Sequence, residues 1–97
     1  MKGICEIQSP LNGAKAYRMG ECAVLVSRDE VKERGLFVMR WHLSISHPSR
    51  FPRWNEIKEA RYALLPDEVT MAMLLPPREQ YVNVHPNCFH LHEIEGG

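Results

Sequence analysis

The sequence holds 97 residues, 44% of them apolar and 25% charged, and its 12 basic side chains balance its 12 acidic ones. A chain of this size makes one domain that buries only roughly 60–65% of its unfolded surface, so residues 1–97 leave no room for a second catalytic unit. Charge neutrality argues against a general nucleic-acid binder, which needs basic residues to meet phosphates, and equally against an acidic mimic of DNA.

No apolar run approaches the ~20 residues of a membrane-spanning helix. The first residues, Met1-Lys-Gly-Ile-Cys-Glu6, lack the apolar stretch of a signal peptide, so a cytoplasmic location is expected. The three cysteines, Cys5, Cys22 and Cys88, are odd in number and widely spaced. That fits reduced thiols better than a disulfide framework. Cys5 and Cys22 read as small buried apolar residues.

Ile4–Ile7 and Ala14–Met19 are short apolar segments separated by Pro10-Leu-Asn-Gly13, a turn signal because Asn and Gly tolerate left-handed backbone. Gly20 punctuates again. Cys22–Ser27 is a β-branched run that predicts a buried strand. The charged stretch Arg28–Gly35 could make one helical turn or a solvated hairpin loop, and with only Val31 to bury it reads as the loop. Leu36–His47 carries the clearest strand signal. Phe37, Met39, Trp41, Leu43 and Ile45 fall on one face, and Val38, Arg40, His42, Ser44 and Ser46 on the other. Such one-sided alternation suggests antiparallel pairing with a covering element on the apolar side.

The cover follows. Prolines at 48 and 52 remove backbone donors and end the strand. Trp54, Ile57, Ala60, Ala63 and Leu64 then recur at helical spacing, predicting a helix over about residues 54–65 that Pro66 stops. The expected packing sets Trp54, Ile57 and Leu64 against Phe37, Trp41 and Ile45. Val69–Leu75 predicts another strand, ended by Pro76-Pro77. Tyr81–Val84 and Cys88–Ile94 are the last extended pieces, joined by the turn His85-Pro-Asn87, and Gly96-Gly97 reads as a frayed tail. The expected fold is α+β: one small two-layer domain over residues 1–97, a mainly antiparallel sheet with one helix on one face.

The candidate chemistry clusters near the C-terminus. In an extended Cys88–His92, Cys88, His90 and His92 share one face and Phe89 and Leu91 the other. Pairing with Leu36–His47 brings His42 to the same row. The sharp reading is a zinc module, or a small metal-dependent hydrolase, built on His42, His85, Cys88, His90 and His92, because zinc takes four N and S ligands. The plain reading is polar residues on a half-exposed sheet face, and it is favoured: the spacing matches no common zinc motif, and strand residues two apart have Cα atoms about 7 Å apart. A nucleophilic Cys88–His90 pair needs hydrogen-bond proximity and an orienting third group, and strand spacing leaves the two non-adjacent. Ser44, Ser46 and His47 lack a Gly-x-Ser-x-Gly elbow and a well-placed acid for a hydrolase. Arg40, Arg50, Arg53, Arg61 and Arg78 are interspersed with acids. They make either a mixed solvated surface or a recognition rim.

Trp41-His-Leu-Ser-Ile-Ser-His-Pro48, Pro52-Arg-Trp-Asn-Glu-Ile57, Ala60-Arg61, Met71-Ala-Met-Leu-Leu-Pro-Pro77 and Tyr81-Val-Asn-Val-His-Pro-Asn-Cys-Phe-His-Leu-His-Glu93 together resemble a group of small uncharacterised bacteriophage and prophage proteins. The likeness spans roughly residues 36–95. It implies a host-cell cytoplasmic accessory protein that works by binding a host or phage protein, inhibitors of bacterial defence systems such as anti-CRISPRs among them. The expected reading is a non-enzymatic binder without a cofactor, using Arg40, His42, Ser44, Arg61, His90 and His92. A second copy of the chain is a further expected partner, since a small sheet leaves edges to cover.

Overall fold

The structure, a computed structural model, describes residues 3–66 and 87–94. Among them it has five strands and one helix: β1 (Ile4–Ile7), β2 (Ala14–Met19), β3 (Cys22–Glu33), β4 (Leu36–Ser46), α1 (Trp54–Leu64) and β5 (Cys88–Ile94). The expected strands Val69–Leu75 and Tyr81–Val84, His85 and the Gly96-Gly97 tail lie outside the described residues. The strands form one antiparallel sheet in the order β1-β2-β3-β4-β5, which gives the expected α+β class. No helix among the described residues is long and apolar enough to cross a membrane.

Tight turns set the register. Met19 pairs with Cys22 around a two-residue turn, and Glu33 pairs with Leu36 around another. In the second, Arg34 and Gly35 have φ of 51° and 83°. Positive φ at both central positions is the twist that a two-residue hairpin needs.

That hairpin corrects one expectation. A hairpin is there as expected, but its loop is only Arg34-Gly35: β3 continues unbroken to Glu33 and pairs with β4 from Ala23 onward. Burial is not what makes this segment extended. The segment lies beyond the β2 pairing, and from Glu30 and Met39 to the turn it is beyond the β5 pairing too, a two-stranded ribbon wet on both faces. Opposite charges meet across it at Asp29 and Arg40, Val31 faces Val38, and the Arg28 guanidinium lies 5.3 Å from the centre of the Trp41 ring.

The core fills the gap between α1 and one sheet face. Cys22, Val24, Val26, Leu43, Ile45 and Phe89 from the sheet meet Ile57, Ala60 and Leu65, with Trp41, Trp54, Leu64 and Leu91 half-buried at its margin. Trp54 packs edge-on to Phe89, ring centres 5.9 Å apart. The expected contact of the helix with Phe37 is absent, and Phe37 is 67% exposed. The 11 residues of α1 reach roughly 16 Å, whereas the 11 of β4 reach about 36 Å, so the helix covers only the Leu43–Ile45 end. The helix start is fixed by Glu56. Its carboxylate accepts the Arg53 backbone N–H at 2.7 Å and two guanidinium N–H groups of Arg50 at 2.8 and 3.1 Å.

Candidate functional site

The face of the sheet away from α1 is built in rows. Antiparallel register places Ala14, Ser27, His42 and His92 side by side across four strands, and Ala16, Leu25, Ser44 and His90 in the next row. Cys88 stands opposite Ser46 in the row after that. In the first two rows the β2 side is apolar and the β4–β5 side polar, while Arg18 of β2 stands in the third row. A shallow groove of about 330 Å³ runs along the boundary, lined by Leu11, Ala14 and Leu25 on one side and His42, Ser44, His90 and His92 on the other.

Two short networks organise the polar side. In the first, Asp29 accepts the Nε and Nη2 hydrogens of Arg40 at 3.2 and 2.8 Å, and its Oδ1 lies 3.0 Å from Nε2 of His42. The other ring nitrogen of His42, Nδ1, meets Nδ1 of His92, the rings edge-to-face with centres 4.5 Å apart. Hydrogen bonds from Arg40 first, then His42, hold the Asp29 carboxyl down at about 2. Burial, and next the charge of His42, push the His92 imidazole below its ordinary range. The carboxylate and the two rings thus form one continuous hydrogen-bonded line across β3, β4 and β5.

The second network joins Ser44 Oγ to Cys88 Sγ at 3.4 Å, and Cys88 Sγ to His90 Nε2 at 3.3 Å. Strand spacing alone sets Cys88 and His90 apart. The length of the imidazole side chain closes the gap between two residues on the same strand face.

Of the expected binding residues, His42 and His92 meet directly, Arg40 joins them through Asp29, and Ser44 and His90 meet through Cys88. Arg61 does not join them. It is only 2% exposed on the inner face of α1, where its guanidinium lies 5.8 Å from the centre of the Tyr62 ring. Its place in the sequence, one step after Ala60, turns it toward the core rather than to a surface rim. Asp29 escapes a reading of the sequence because its segment looks like a loop. The signal that finds it is opposite charge at equal distance from the Arg34-Gly35 turn.

His47 is not partnered with Ser44 or Ser46 for hydrolysis. It is buried, its Nε2 lies 3.0 Å from Glu21 Oε2, and its Nδ1 accepts the Ser49 N–H at 3.1 Å. Its backbone N–H donates to the Asn87 carbonyl at 3.0 Å, and the Asn87 amide returns a bond to its carbonyl at 3.3 Å. His47 therefore pins the start of β5. Cys22 is fully buried as expected, and burial pushes its thiol up to about 11. Cys5 departs from expectation: it is exposed, because β1 is the sheet's first strand and Cys5 turns away from α1. Among the described residues, no group of three or more His, Cys, Asp or Glu side chains is placed to hold a metal ion.

Fold and face define a small meander-sheet α+β domain with a polar, histidine-bearing outer surface. The chain belongs to a family known as a domain of unknown function (DUF7694), whose profile matches residues 32–96. The matched segment carries Arg40, His42, Ser44, Cys88, His90 and His92, whereas Asp29 precedes it. No curated protein and no solved structure matches the chain.

Proposed function

We propose that this protein is a phage- or prophage-encoded accessory factor that binds another protein through the outer face of β4. The observation that carries the reading is the make-up of that face. From the hairpin tip it presents Leu36 at 70% exposure, then Val38, Arg40, His42 and Ser44, flanked by the groove with Leu11 and Leu25. An exposed apolar residue beside an arginine and imidazoles is the composition that protein interfaces favour. The resemblance to small phage proteins, the neutral charge and the small size support the same reading, and interference with a bacterial defence system, CRISPR systems included, is the role it fits best.

The test is capture from lysates of defence-bearing bacteria by the untagged chain coupled through its helix side. Wild type and a Lys58→Ala variant retain a specific protein, and Leu36→Asp with Arg40→Glu loses it. The same variants separate in a plating assay, where wild type restores growth of a restricted phage. A partner indifferent to both outer-face substitutions, or no specific partner, overturns the reading. Stoichiometric zinc that disappears in a His42→Ala, His92→Ala double variant turns the assignment to a metal module instead.

A further inference from the structure

The contacts of Asp29 determine where protons sit on two histidines. Its carboxylate is ionised well above about 2, so near neutral pH it only accepts hydrogen bonds. Nε2 of His42, which faces it at 3.0 Å, therefore carries the N–H. A neutral imidazole has one donor and one acceptor nitrogen. Nδ1 of His42 is thus the acceptor, and Nδ1 of His92, which meets it, carries the hydrogen. One carboxylate on β3 in this way sets the tautomer of a ring on β4 and, through it, of a ring on β5.

Proton counting then gives three states. With both rings neutral, the contact is Nδ1–H of His92 to Nδ1 of His42. One added proton leaves an N–H on each Nε2 and a single hydrogen shared between the two Nδ1 atoms, so that contact stays in place. A second puts a hydrogen on both Nδ1 atoms, and two N–H groups and two positive charges then face each other across rings spaced 4.5 Å apart. Among the described residues, the charged and titratable groups on this face around the pair are Asp29 from β3, Arg40 from β4 and His90 from β5. β2 and its preceding turn bring Ala14 and Leu11, which do not titrate, and α1 lies on the opposite face. Asp29 already shares its charge with Arg40, so among the described residues the doubly charged pair has no second anion there to hold it.

We propose that Asp29, His42 and His92 form a proton-operated latch between β4 and β5, closed while the ring pair holds at most one added proton and open when it holds two. Opening frees one wall of the groove at acid pH. The latch is a property of the free protein and stands whatever the face binds.

Long-range nitrogen–proton NMR of the histidine rings in the full 15N-labelled chain tests it, followed from about pH 8 to about pH 4.5, the range that imidazoles titrate. At the upper end, His42 shows the Nε2–H pattern and His92 the Nδ1–H pattern. On acidification the pair titrates in two steps. The second removes the ring-to-ring nuclear Overhauser contact and the exchange protection of the Leu91 amide. Asp29→Ala returns His92 to the Nε2–H form, and His92→Gln abolishes the two-step behaviour. Nε2–H patterns on both rings at the upper end, or two independent single-step titrations with the ring contact unchanged, overturn the proposal. The wild-type spectra decide it even if a variant fails to fold.

Discussion

Asp29 stands opposite Arg40 in the β3–β4 ribbon and accepts two hydrogens of its guanidinium, at 2.8 and 3.2 Å. The pair does two jobs. It stabilises an extended segment that has little to bury, and it orients the carboxylate that engages His42. The local fold of the ribbon and the polar site on the sheet are therefore one arrangement, and its titrating groups should leave a mark on stability.

Two acid windows are expected. Asp29 and Glu56 both have folded-state values of about 2, below their ordinary 3.8 and 4.5, because Arg40 and Arg50 respectively hydrogen-bond the carboxylates. A lowered folded value means the unfolded chain binds protons first as pH falls, so the stabilisation is complete above about 4.5 and is lost toward 2. His92 is also lowered from 6.5, here by burial. Its protonation favours the unfolded chain, so stability begins to fall as pH drops below 6.5. Urea midpoints measured across pH should show both declines. His92→Gln removes part of the upper one and Glu56→Gln part of the lower, and a flat profile between neutrality and the carboxylate range contradicts the His92 assignment.

Cysteine reactivity should follow position. Cys22 is fully buried and its thiol is pushed up to about 11, so little thiolate exists near neutral pH. Cys5 is exposed and Cys88 half-exposed. Iodoacetamide should label Cys5 and Cys88 in the native protein and reach Cys22 only at the rate of unfolding. Mass spectrometry of timed digests reads this directly. Native labelling of Cys22 as fast as Cys5 contradicts the burial.

The alternation in Leu36–His47 and Cys88–His92 makes the sheet, its two faces and the shared row of His42 and His92 legible in the sequence. The helix is legible from the spacing of Trp54, Ile57 and Ala60. Three things are not. Arg28–Glu33 hides its strand because pairing, not burial, holds it extended. Arg61 looks like surface by residue type but sits 2% exposed on the packed side of α1. Cys88 and His90 touch through side-chain reach, which residue spacing does not convey.

Removing Phe89 should cost a large share of the stability. It is fully buried, pairs with Ile45 across the β4–β5 ladder and packs edge-on to Trp54, so it links sheet and helix. Phe-to-Ala changes at such sites cost about 3–5 kcal/mol, against roughly 5–15 kcal/mol of total stability for a typical domain. Phe89→Leu should cost distinctly less, because most of the volume stays. Chemical denaturation followed by tryptophan fluorescence, from Trp41 and Trp54 together, distinguishes the two. A Phe89→Ala cost below about 1 kcal/mol contradicts its place in the core.

Leu36 and Phe37 should behave oppositely to Phe89. They follow the Arg34-Gly35 turn at the ribbon tip, 70% and 67% exposed, beyond the reach of α1. Leu36 lies on the outer face with Val38, Arg40 and His42, and Phe37 on the inner side facing Lys32. Little apolar area leaves water there on folding, so Leu36→Ser and Phe37→Ser should each change stability by no more than about 0.5 kcal/mol. Large exposed apolar side chains beside a polar network are nonetheless what a binding partner buries. Leu36→Ser should therefore weaken capture of a partner at the outer face at unchanged stability, while Phe37→Ser, turned to the other side, should weaken it less. Equal loss from both points to a partner that grips the whole hairpin tip. A loss of fold in either shows that the tip is packed rather than presented.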